Sequence, residues 1–87
     1  MRQQLEDARR THQFGYQYLY KAKTARSNAR LKRFLFKALR KFEMANRQYM
    51  SAYMQEKDEK TAGIIRKEMD DSYKKIYIIL DSVYDED

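Results

Sequence analysis

Cysteine, proline and tryptophan do not occur in the 87-residue chain, and glycine occurs only as Gly15 and Gly63. Without cysteine there is neither a disulfide nor a thiolate metal site, a composition that suits a reducing compartment. A β-rich domain of this length would need hairpin turns built from glycine, proline or Asn-Gly, and that punctuation is missing. Almost every residue is an acceptable helix former. No apolar run approaches the roughly 18–20 residues that cross a bilayer. The opening Met1-Arg2-Gln3-Gln4-Leu5-Glu6-Asp7 carries no apolar signal core. The expected location is the cytoplasm, or the nucleus if the host has one.

Catalytic parts are equally scarce. His12 is the single histidine, and neither a Glu-x-x-His pair nor a glycine-rich phosphate loop is present. Asp70-Asp71 and Asp85-Glu86-Asp87 could touch a divalent ion only weakly, and solvation is their expected state. His12 reads as a packed or partly exposed residue rather than a general base. The expectation is a protein that is not an enzyme and takes no cofactor or metal.

What the chain does have is helical spacing. Leu31, Leu35, Ala38, Phe42, Ala45, Tyr49 and Ala52 recur at alternating steps of four and three, a heptad seam. Leu39, Met50 and Tyr53 widen that seam into the broader apolar side of a bundle helix. Ile65, Met69, Ser72, Ile76, Ile79 and Val83 repeat the pattern, flanked by Tyr73, Tyr77 and Leu80. A weaker seam runs through Leu5, Ala8, His12, Gly15, Leu19 and Ala22, with Tyr16 and Tyr20 beside it. Gly15 costs about 1 kcal/mol against alanine inside a helix, so it signals close packing or a bend. Ser27-Asn28 are good N-caps where the heptad phase slips, and Asp58 or Thr61 can cap a third helix.

The spacing therefore predicts an all-α single domain over 1–87, with helices near 3–25, 29–56 and 60–84 and an acidic tip at 85–87. Matched lengths and short connections favour an antiparallel three-helix bundle. The alternative fuses the first two segments into a long helical hairpin that forms a homodimeric bundle. The second and third segments resemble the helical hairpins of small three-helix trafficking modules such as microtubule-interacting-and-transport domains, on Ala38-Leu39, Phe42, Ala45, Tyr49-Met50 and Ile65-Arg66. The loop that such domains place before their second helix is missing, and no family is assigned on residues this ordinary.

Charge is distributed unevenly. The net charge is +6. Residues 1–50 carry thirteen Lys/Arg against Glu6, Asp7 and Glu43, whereas residues 51–87 carry six against ten Asp/Glu. Between residues 20 and 47 there are ten Lys/Arg and a single acid, Glu43. Arg30, Arg33, Lys37, Arg40 and Arg47 recur at helical steps opposite the Leu31–Ala52 seam, with Met44 in the gap and Lys41 at the edge. Lys21, Lys23 and Arg26 extend the positive charge to the preceding turn. A merely solvated face normally mixes signs, because opposite charges at i,i+4 attract and like charges repel. This one scarcely does. Phe14 and Tyr18 fall off the first seam, and Phe36 lies beside the stripe. These aromatics suit protein-interface anchors or base stacking, and burial against another helix is the plainer expectation.

These features predict a small helical binding protein that engages an acidic protein surface or a nucleoprotein complex, in the manner of an accessory subunit or a phage-type inhibitor or regulator. The alternative is a sequence-nonspecific nucleic-acid-binding protein that grips phosphates through the same stripe. Pairing of the stripe with the protein's own acidic half, within one molecule or between two copies of a homo-oligomer, is a third arrangement. Membrane insertion is not expected.

Overall fold

In the computed structural model, which describes residues 2–84, three helices follow one another: α1 (Arg2–Lys23), α2 (Asn28–Gln55) and α3 (Glu59–Tyr84). Among the described residues there is no strand. The chain is an all-α three-helix bundle, and successive helices run antiparallel. None of the helices is long and apolar enough to cross a membrane.

The breaks fall at capping residues. α1 and α2 do not fuse, so the long-hairpin alternative is set aside. Ser27 takes an extended conformation (φ −131°, ψ 154°) and its Oγ accepts from Arg30 N–H. That arrangement satisfies one of the orphan donors of the first turn. At the second break Asp58 caps α3. Its carboxylate accepts from Thr61 N–H at 2.9 Å and from Thr61 Oγ1–H at 2.7 Å. These bonds hold the Asp58 carboxyl below its usual range.

The apolar core has two parts. Ala8, Ala45, Tyr49, Ala52 and Ile65 form one cluster near the N-terminal half of α1. Ala38, Phe42 and Ile79 form the other, with Tyr18, Leu19, Leu35, Leu39, Ile76 and Val83 packed against it. All seven residues of the predicted α2 seam face inward, five of them fully buried. The small residues let α1 and α2 approach closely. A Cβ on Gly15 would stand 2.8 Å from the Phe42 ring, so Gly15 marks close packing rather than a bend. No such constraint acts at Gly63, where a Cβ would meet nothing within 4 Å.

α1 and α3 both pack on α2, while their own backbones scarcely meet. The result is a slab 46 × 21 × 14 Å in extent. Where the ends of α1 and α3 diverge, an apolar groove of about 460 Å3 opens over Leu31 and Leu35, with Leu19, Ala22 and Ile78 along its sides. Nearer the middle, polar side chains span the gap. Ser72 is fully buried and donates to Met69 C=O at 2.7 Å, 3.1 Å from Asn46 Oδ1.

Candidate functional site: the cationic face of the α1/α2 hairpin

Among the described residues, the acids of the second half make no ion pair with the stripe. Glu68 and Asp71 project from α3 toward α1 and are taken up there. Arg9 makes a two-pronged contact with Glu68, Nε to Oε1 at 2.9 Å and Nη2 to Oε2 at 2.8 Å, the fork geometry that suits a carboxylate. Tyr49, fully buried, donates to Glu68 Oε1 at 3.1 Å. His12 Nδ1 lies 2.8 Å from the Tyr49 hydroxyl, and His12 Nε2 lies 2.8 Å from Asp71 Oδ2. Tyr16 also donates to Asp71, and Lys75 Nζ reaches Asp71 Oδ1 at 3.3 Å. One chain of polar contacts thus ties α1, α2 and α3 together. Because a phenol has a single proton, Tyr49 can donate to Glu68 and also bond His12 only when His12 Nδ1–H donates to the phenol oxygen.

The electrostatics follow from that geometry. Arg9 holds the Glu68 carboxyl below its ordinary range against the opposing effect of burial, with Tyr49 assisting. At Asp71 burial pushes upward, and the bonds from Tyr16, His12 and Lys75 together outweigh it, so the carboxyl is lowered. Burial, reinforced by Glu68, pushes the Tyr49 phenol well up. Among the described residues no three His, Asp or Glu side chains converge as a metal ion would require.

With those acids turned inward, the exposed side of α3 is not acidic. It presents Lys60, Arg66, Lys67 and Lys74 against Glu59, Asp70 and Asp81, and Asp70 is held by Lys74 at 3.3 Å. The charge asymmetry along the sequence is therefore not an asymmetry between faces of the folded helices. The terminal acids at 85–87 lie outside the described residues.

The predicted stripe residues stand out from α1 and α2. Lys21, Lys23, Arg26, Arg30, Arg33, Lys37, Arg40 and Arg47 are exposed, and Lys41 is half-buried. None of the nine makes an ion pair with a carboxylate among the described residues. Glu43, which lies between Arg40 and Arg47 in sequence, is exposed and also makes none. The first turn of α2 contains no acid, although carboxylates stabilise that end of a helix. Arg30 stands there instead.

Lysines and aromatics meet where α1 crosses α2. Tyr18 stacks on Phe34 with ring centroids 6.3 Å apart. Lys21 Nζ lies 5.4 Å from the Tyr18 centroid and 6.0 Å from that of Phe34. Lys37 Nζ lies 5.7 Å from Tyr18, and Lys41 Nζ lies 5.6 Å from Phe14. These are cation–π distances. Of the predicted anchors, Phe14 and Tyr18 thus join the stripe lysines. Tyr18 also reaches the core, the plainer of the two expectations for it. Phe36 is 43% exposed and lies outside this cluster, because positions two apart do not share a helix face. Phe34 was not among the predicted anchors. Its signal was its place three residues before Lys37, on the flank of α2 between seam and stripe.

No protein-family model matches the chain, and neither the search of curated proteins nor that of solved structures returned a match.

Proposed function

We propose that this protein is a non-enzymatic helical binding module that engages an acidic protein partner through the outer face of the α1/α2 hairpin. The carrying observation is that the nine stripe cations make no ion pair with a carboxylate among the described residues, while Glu68 and Asp71 are engaged between α1 and α3. Such a face raises the local concentration of a negatively charged partner and speeds its encounter. Phe14 and Met44, 42% and 43% exposed, supply apolar contact area inside the charged field. The mode of action would be occlusion or bridging of the partner's surface.

Gripping of nucleic-acid phosphates is the competing use of the same cations. The aromatic arrangement favours the protein partner. The Tyr18 ring is already engaged by two ammonium groups and by Phe34, so a stacked base would have to displace them.

The test is a nuclease-treated pull-down with the tagged protein, run beside a gel-shift assay with random duplex and single-stranded DNA. The expected outcome is capture of an acidic protein, lost when Arg33, Lys37 and Arg40 are replaced together by glutamine. Naked nucleic acid should be ignored at physiological salt. Retention of random duplex with a steep salt dependence, and no protein capture, would reverse the assignment.

A further inference from the structure

The spacing of the stripe cations says what shape of acidic surface fits them. Two rows run along the hairpin. In the inner row, the ammonium groups of Lys41 and Lys37 sit over the rings of Phe14 and Tyr18, and that of Lys21 shares the Tyr18 ring with Lys37. On α2, Lys37 and Lys41 are four residues apart, a rise of about 6 Å at 1.5 Å per residue. The outer row is Arg33, Arg40 and Arg47, at steps of seven residues or roughly 10 Å. On the helical wheel of α2, Met44 falls between them, and Phe14 lies beside the inner one.

We infer that the occupant of this surface is a single acidic amphipathic α-helix laid alongside α2. This rests on the proposal of an acidic protein partner and narrows it. Carboxylates at i and i+4 of a helix rise by the same increment as Lys37 and Lys41. Acids repeating every seven residues on the other flank meet the arginines. An apolar residue between the acidic flanks, once per heptad, reaches Met44 and Phe14. The lysines of the inner row are already ordered on aromatic rings, which lowers the entropy lost when they meet carboxylates. A straight double row of roughly 20 Å suits a helix better than a nucleic-acid duplex, whose phosphates wind away from any straight line. It also suits a helix better than a loop, whose carboxylates have no fixed period.

The inference is tested with two synthetic three-heptad peptides of identical composition. In one, glutamates flank a leucine stripe at the spacing just described. In the other, the same residues are permuted so that glutamates surround the helix evenly. Binding is read by isothermal titration with the full-length protein at physiological salt, and helicity of the mixture by circular dichroism at 222 nm. The expected result is at least about tenfold tighter binding of the patterned peptide, with a gain of helical signal on mixing. Replacing Arg33, Arg40 and Arg47 together by glutamine should abolish that preference while the free protein keeps its own helical spectrum. Equal binding of the two peptides overturns the helix inference and leaves the acidic-partner proposal standing. Binding of neither, with retention of random duplex, overturns both.

Discussion

Two groups of cations contrast in this molecule. Along the α1–α3 seam Arg9 and Lys75 each meet a carboxylate within hydrogen-bonding reach. On the outer face of the hairpin Arg30, Arg33, Lys37, Arg40 and Arg47 meet none among the described residues. The side chains are chemically alike, and their placement gives them opposite roles. The inner group substitutes for backbone packing that α1 and α3 lack, so it acts on stability. The outer group makes no ion pair with a carboxylate among the described residues, and the proposed association rests on it.

The sharpest way to break this contrast is to remove the hub of the seam. His12→Ala deletes the contacts to Tyr49 and Asp71 and leaves a void beside Phe42, whose ring centroid is 5.7 Å away. The expected loss is about 2–3 kcal/mol in urea unfolding. The three glutamine replacements at Arg33, Lys37 and Arg40 should change stability by no more than about 0.5 kcal/mol. Comparable losses from both would erase the distinction.

Next in size is Gly15→Ala. Helix propensity alone favours alanine by about 1 kcal/mol, yet its methyl would collide with the fully buried Phe42 ring. A net loss of about 1–2 kcal/mol is expected. Gly63→Ala, with open space around it, should gain about 0.5–1 kcal/mol. Thermal unfolding of the two variants side by side reads the sign directly.

The smallest effect is the acid dependence. The Glu68 and Asp71 carboxyls are both lowered on folding. Their contribution is therefore complete above the ordinary carboxylate values of about 4 and declines as pH falls through the lowered folded values. Urea midpoints measured from neutral pH down to about pH 2 should fall in that window. The double replacement Glu68→Gln and Asp71→Asn should flatten the profile. An unchanged slope would mean that the seam carboxylates do not report on folding.

Much of the fold was legible because its signals are local. The absence of proline, the heptads and the cap residues Ser27 and Asp58 each act within a few positions, and the predicted boundaries lie within two residues of those observed. The cationic stripe was legible for the same reason, since it belongs to one helix. The absence of ion pairs to it among the described residues was not, because that depends on where Glu68 and Asp71 point. Those acids look like part of an acidic half in the chain, but α3 turns them toward α1, 55 or more residues away in sequence. His12 was legible as a packed residue and not as a hub, because its partners come from two other helices. Phe34 escaped because it belongs to neither the apolar seam nor the charged stripe.

The scant backbone contact between α1 and α3 has one more consequence. The third helix is docked on one principal neighbour, and it carries none of the nine stripe cations. Its transient release, a sub-global opening of the kind amide exchange detects, would leave the α1/α2 hairpin with its charged surface intact. The amides of α3 are then expected to exchange ahead of those of the α1/α2 hairpin.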